Sequence, residues 1–323
     1  MDSYNSIGFI GVGAMGKEMV DNLARKLPST QIFIHDVNQD AINTLIAARP
    51  SLVACATARE VAEQSSLTFT MLPEGHHVRL VYLDGPNCIA SSSPSKLAHK
   101  LLLDCSTIDT ATSLDISAAL RRLHPSTSFY DTPVSGGVLG ARDATLGIFI
   151  GCTESDPNFP PLNALLLSTV ASSVIPCGGP SLGLVAKLAN NYLSGTIAIA
   201  TAEAMNMGMR AGVDARVLAR VISAGSGKNH IADKFNPVPG ICPAAPSSRG
   251  YQGGFRVELM RKDVGLATEM AERVGARLVL GEAVMGAYEG ASGDPRCAGR
   301  DSRVVYRYLG GEEEWEGKEG KEG

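Results

Sequence analysis

Short apolar runs separated by amphipathic stretches set the rhythm of the chain as far as residue 176. The runs are Ser6–Ile10, Gln31–His35, Leu52–Ala54, Leu67–Leu72, Leu101–Asp104, Ser128–Tyr130, Thr145–Ile150 and Ser173–Pro176. Runs of this length, alternating with helical-period stretches, predict the strands of a doubly wound α/β sheet. The pattern changes after Cys177-Gly178-Gly179-Pro180. Positions 181–211 contain no Pro and mix Leu, Ala, Met and Ile at helical spacing, which predicts one long helix opening an all-helical second domain. A stretch rich in Pro, Gly and Ser over 236–254 predicts a loop, and 257–274 and 278–289 read as further helices. Residues 312–323 alternate Glu, Gly and Lys, a polar tail expected to be disordered.

The first strand runs straight into Gly11-Val12-Gly13-Ala14-Met15-Gly16. In a strand–turn–helix, Gly11 permits the tight turn and Gly13 lets a pyrophosphate approach the backbone. Gly16 lets the helix pack close, so that its N-terminal N–H groups face phosphate. Such a triple is weak alone, but Met15, Met19, Val20 and Leu23 follow at helical spacing. The second strand ends in Asp36, twenty residues after Gly16, where an acid should accept the adenosine ribose hydroxyls. No Arg follows Asp36 directly to receive a 2′-phosphate, so NAD is expected over NADP. The expected organisation is a Rossmann-type NAD-binding domain over residues 1–178, a helical substrate and dimerisation domain over 179–311, and the tail.

Composition narrows the function classes. With 323 residues, 44% hydrophobic and 19% charged, the chain has the make-up of an ordinary globular protein of two domains. A net charge of −4 gives no electrostatic case for nucleic acid or an anionic membrane. No apolar stretch is long and uninterrupted enough to span a bilayer, Leu193–Met209 carrying Thr, Glu and Asn, so no membrane span is expected. Seven cysteines without regular spacing read as reduced thiols, and six scattered histidines show no ligand spacing, so no metal is expected. Met1 to Asn5 leave no room for a presequence ahead of the first strand, which points to a cytoplasmic protein or a sequence lacking its leader.

Four groups of residues are candidates for chemistry. Asp131-Thr132-Pro133-Val134-Ser135-Gly136-Gly137 follows a strand, and a hydroxyl beside two unobstructed N–H groups suits a small carboxylate as well as a plain glycine turn. Lys187 and Asn191 lie four apart among apolar neighbours and therefore share one helix face. Such a Lys either reaches solvent or is buried towards a cleft, where loss of hydration lowers its pKa and makes it a usable general base. Asn190 and Asn191 are costly in a helix without partners, which favours a site. Lys262-Asp263 reads from composition as a solvated charge pair, and His76 and His77 stand near where the cofactor should run.

Together these motifs resemble the β-hydroxyacid dehydrogenases over about residues 6 to 290. The order is that of the family: Gly11–Gly16, Met71-Leu72-Pro73, Asp104-Cys105-Ser106-Thr107, Asp131–Gly137, then Lys187 to Asn191. The segments Asn236-Pro237-Val238-Pro239-Gly240, Tyr251-Gln252-Gly253-Gly254-Phe255 and Leu259-Met260-Arg261-Lys262-Asp263 are similar to its hydroxyisobutyrate branch. The resemblance implies NAD-dependent oxidation of 3-hydroxyisobutyrate to methylmalonate semialdehyde, as in valine breakdown, with Lys187 catalytic. It also implies that Ser135, Gly136 and Asn191 hold substrate, that Leu72, Pro73 and Thr107 hold NAD, and that Lys262 contacts cofactor or substrate. A homodimer or homotetramer and a mitochondrial location are implied as well. Three departures stand out: His77, a cofactor position where members often carry Asn; Lys228-Asn229-His230, where aromatic or small polar residues are usual; and the stretch from Gly290 onward. The alternatives are a reductase of another short β-hydroxyacid, such as tartronate semialdehyde, and a catalytically silent dinucleotide-binding protein.

Overall fold

The computed structural model describes residues 4–315. Six parallel strands, β1 (Ser6–Ile10), β2 (Gln31–His35), β3 (Leu52–Ala54), β4 (Leu67–Thr70), β5 (Leu101–Asp104) and β6 (Ser128–Asp131), form one sheet in the order β3-β2-β1-β4-β5-β6. The register runs Ile7 beside Ile32 and Leu67, then Leu67 beside Leu101 and Leu101 beside Ser128. Strand order reverses between β1 and β4, which opens a crevice at the carboxyl end of β1, where α/β sheets of this kind bind ligands. Ile7, Phe9, Leu67, Phe69, Leu101 and Leu103 are buried in one core and Ile10 and Leu102 in a second, so both faces of the sheet are covered. That is why the strands read as continuous apolar runs.

The doubly wound reading holds for these six strands, whereas the last two expected strands belong elsewhere. Only Thr132 and Pro133 separate β6 from β7 (Val134–Ser135), too short a link for the helical crossover that a further parallel strand needs. β7 instead pairs antiparallel with β8 (Leu146–Ile150), and β9 (Ala171–Pro176) completes a separate three-stranded sheet.

The predicted long helix spans Leu182–Arg210. The chain forms two compact units that divide within it, between Lys187 and Leu188. The expectation placed the boundary after 178, but the opening turn belongs to the first unit: Leu184 is buried in the core of that unit. The second unit is helical, with helices Ala215–Ala224, Val257–Arg273 and Gly281–Gly293. Met205, Val257, Val264, Val284 and Tyr288 fill its core. The divergent stretch after Gly290 is folded into the same core through Cys297, Val304, Val305 and Tyr306, and buried Asp301 pairs with Arg303 at 3.0 Å.

The tail is not wholly the solvated segment that its composition suggests. Arg307 binds Glu313 through two nitrogens at 2.6 and 2.8 Å. The indole of Trp315 donates to the Pro239 carbonyl at 2.9 Å, with Arg216 over its ring. A two-point guanidinium pair and an aromatic anchor outweigh the local polarity. Residues 316–323 lie outside the described residues. Among those described, no helix is long and apolar enough to cross a membrane.

Candidate active site

The glycine loop is stitched into the crevice by its neighbours. Gly11 N donates to the His35 carbonyl at 2.9 Å, and Met71 N donates to the Ile10 carbonyl at 2.9 Å. Gly11 has φ +92°, and a Cβ there would collide with the Met71 carbonyl. A Cβ at Gly16 would run into the Gly11 carbonyl and the Phe9 ring, so both positions require glycine. A Cβ at Gly13 would meet nothing within 4 Å, and this open backbone is what a pyrophosphate needs beside a helix N-terminus. Val12 lies on the same loop, and Ala14 and Met15 complete it ahead of the helix Gly16–Lys26.

Asp36 closes the other side. Its Oδ2 accepts from Val12 N at 2.7 Å and its Oδ1 from Asn38 N at 2.8 Å. Each carboxylate oxygen keeps a second lone pair, so the anchored acid can still accept ribose hydroxyls. The residues of the loop and Asp36 therefore fit a dinucleotide.

Leu72 and Pro73 follow β4, and Thr107 follows β5. A buried relay joins the two ends. Asp104 Oδ1 accepts from Thr70 Oγ1 at 2.7 Å and from Ser106 Oγ at 2.6 Å. Ser106 Oγ in turn accepts from Leu72 N at 2.9 Å. Asp104 Oδ2 is buried without a hydrogen-bond partner, and burial pushes this carboxyl up to about 6. Asp104 and Ser106 both stand in the Asp104-Cys105-Ser106-Thr107 motif, but their hydrogen-bonded link to Thr70 and Leu72 is visible only in the structure. The available signal was an acid at a strand's carboxyl end two residues before a Ser.

Ser135 ends β7 beside Gly147, and Gly136 and Gly137 take φ +135° and +63°. A Cβ at Gly137 would meet nothing within 4 Å, so the backbone there is open to a ligand. Just upstream, Asp131 accepts from Ser181 N at 2.7 Å and from Leu184 N at 2.9 Å. These N–H groups belong to the first turn of the helix that carries Lys187, which its own ladder leaves unsatisfied. Burial raises the Asp131 pKa, and the backbone hydrogen bonds oppose that rise. The strand end that leads to Ser135 therefore also holds the Lys187 helix.

Lys187 and Asn191 are both buried, 7% and 6% exposed, one turn apart on the long helix. Asn191 Nδ2 donates to Asp263 Oδ2 at 2.6 Å. Lys262 Nζ lies 3.2 Å from Asp263 Oδ1, a charge contact without hydrogen-bond alignment. Asp263 is 2% exposed, which overturns the reading of Lys262-Asp263 as a solvated pair. The helix Val257–Arg273 buries Val257, Met260, Val264, Ala267 and Ala271, and Asp263 lies on that same face. Composition could not show this, but helical phase could, since Met260, Asp263, Val264 and Ala267 follow an i, i+3, i+4, i+7 pattern.

His77 lies on the short helix Gly75–Arg79, next to His76. The expectation of no metal rested on a lack of ligand spacing, yet one ligand atom each of Glu74, His76 and His77 lies within 4.8 Å of the others.

Comparison with known proteins agrees with this architecture. Residues 6–178 match the family described as NAD binding domain of 6-phosphogluconate dehydrogenase, and residues 182–309 match NAD-binding of NADP-dependent 3-hydroxyisobutyrate dehydrogenase. The probable mitochondrial 3-hydroxyisobutyrate dehydrogenase of Dictyostelium discoideum is 36% identical over 95% of this chain and 91% of its own. The mitochondrial 3-hydroxyisobutyrate dehydrogenase of Bos taurus is 37% identical over 87% of this chain and 80% of its own. An NAD-dependent L-serine dehydrogenase of Pseudomonas aeruginosa is 36% identical over 87% and 90%. Among solved structures, a Mycobacterium tuberculosis 3-hydroxyisobutyrate dehydrogenase with L-serine superposes with a TM-score of 0.83 at 30% identity, covering 94% of this chain and 99% of that one.

Proposed function

Because the chain belongs to the β-hydroxyacid dehydrogenase family, NAD(P)-dependent oxidoreductases that include the 3-hydroxyisobutyrate dehydrogenases, we propose that it oxidises 3-hydroxyisobutyrate to methylmalonate semialdehyde with NAD. The observation that carries this reading is the buried Lys187–Asn191 pair on one helix face. Ser135 Oγ and the Gly136 and Gly137 amides receive the substrate carboxylate. The Asn191 amide, aimed by Asp263, orients the hydroxyl-bearing end. Lys187 Nζ accepts the hydroxyl proton as hydride leaves C3. The nicotinamide, when bound, supplies the hydride acceptor; the residues that would hold it are Leu72, Pro73, His77 and Thr107, with the glycine loop and Asp36 on the adenosine side. Lys262 adds a cation to the cluster around Asn191. Valine catabolism and a mitochondrial location follow from the names of the relatives and are part of this proposal.

L-serine is a second candidate substrate, itself a 3-hydroxyacid, supported by the P. aeruginosa relative and by the ligand of the mycobacterial structure. NADH absorbance with 3-hydroxyisobutyrate, L-serine and glycerate in parallel tests the assignment. A higher kcat/KM for 3-hydroxyisobutyrate is expected; a higher value for serine or glycerate would overturn it.

Assembly belongs to the same proposal. Leu193 and Met207 on the long helix are 57% and 71% exposed, and Val217 and Val221 are exposed on the helix after it. Large apolar side chains exposed on two helices favour cover by a second copy. Light scattering at micromolar protein is expected to give a multiple of the 33.8 kDa chain mass, and the monomer mass would sink the idea.

A further inference from the structure

The segment Glu74-Gly75-His76-His77 brings two imidazoles and a carboxylate together, and the dehydrogenase reading uses only His77 of these. Glu74 sits at the N-cap position of the helix Gly75–Arg79, yet its side chain makes no capping hydrogen bond. Its Oε2 lies instead 3.2 Å from His76 Nδ1. The two imidazoles are side by side, with ring centroids 3.8 Å apart. His77 Nδ1 is buried with no hydrogen-bond partner, so nothing on the protein compensates its desolvation. Asp109 adds negative charge beside the helix: a Cβ on Gly75 would lie 3.1 Å from Asp109 Oδ2, while Asp109 Oδ1 accepts from Thr112 N.

We propose that Glu74, His76 and His77 form a binding site for a divalent transition-metal ion. Two imidazole nitrogens and one carboxylate oxygen, all within 4.8 Å of one another, are the donor set and spacing that zinc, nickel or copper takes, with water completing the shell. Calcium and magnesium require oxygen donors and are excluded by the two imidazoles. The site begins one residue after Pro73, and its third ligand is His77. On the cofactor reading given above, an ion that ligates His77 removes that side chain from the dinucleotide, so metal and cofactor oppose one another.

The test separates the two parts. Zinc chloride is titrated calorimetrically into the full chain without cofactor, in wild type and in the His76→Ala, His77→Asn and Glu74→Gln variants, each checked for native circular dichroism. Wild type is expected to show a saturable site that is at least ~10-fold weaker in each variant. Equal zinc affinity in wild type and in both histidine variants would overturn the site. NADH affinity is then read by fluorescence. Zinc is expected to weaken it in wild type and not in Glu74→Gln, whose zinc-free NADH affinity stays at the wild-type value. Unchanged NADH affinity in zinc-loaded wild type would overturn the antagonism, and this readout does not depend on which hydroxyacid is the substrate.

Discussion

Asp263 Oδ2 holds Asn191 Nδ2 at 2.6 Å across seventy-two residues of sequence, both side chains buried. Asp263→Ala leaves a buried amide without its acceptor, at a cost of about 1–3 kcal/mol. The expected outcome is a fall of roughly 10-fold or more in kcat/KM, partly recovered in Asp263→Asn, which keeps an acceptor oxygen. Steady-state kinetics decide it, and an alanine variant with wild-type kcat/KM would remove Asp263 from any positioning role.

Lys187 carries the largest single expectation. General-base catalysis contributes about two to four decades, so Lys187→Ala should lower kcat by at least ~100-fold. NAD affinity, measured by titration, should remain close to wild type because the glycine loop and Asp36 are untouched. Near-wild-type turnover in this variant would end the assignment.

On the proposed reading, cofactor choice rests on Asp36. Its carboxylate is anchored by Val12 N and Asn38 N, and an acid so fixed at this position would accept ribose hydroxyls and repel a 2′-phosphate. A kcat/KM for NAD at least ~10-fold above that for NADP is expected, about the 1.4 kcal/mol of one charge contact. Equal use of the two would show that Asp36 does not face the ribose.

Asp104 gives a pH dependence with a definite sign. Burial raises its folded pKa from 3.8 to about 6, so the folded state holds this proton more tightly than the unfolded chain does. The cost of ionising it is absent below about pH 4, grows through the window, and is complete above about 6. At about 1.4 kcal/mol per pK unit, two units amount to roughly 3 kcal/mol. Asp104→Asn cannot ionise, so its melting temperature relative to wild type should rise between pH 4 and pH 7. A difference that stays flat over that range would contradict the assignment.

The strands were legible because both faces of the parallel sheet are covered, which forces unbroken apolar runs such as Leu101–Leu103. The glycine loop was legible because backbone clearance at Gly11 and Gly16 admits no other residue. Asp263 was misread because a charged pair beside Arg261 has the local composition of a surface; its burial comes from helical phase. The separate sheet of β7 to β9 was missed because strand pairing depends on the two-residue link at Thr132-Pro133, not on the strands' own apolarity. The ordering of Glu313 and Trp315 depends on Arg307, Arg216 and Pro239, partners distant in space from a tail's own sequence pattern.

Asp131 ends the strand that leads to Ser135, and its carboxylate grips the first turn of the Lys187 helix. The proposed base and the proposed carboxylate cradle thus hang from one bracket. Their separation is a property of a short mechanical linkage of one strand end, one side chain and two helical turns. Substitutions that loosen Asp131 would act on reaction geometry without touching either reacting partner, and their signature would be a change in kcat at unchanged NAD affinity.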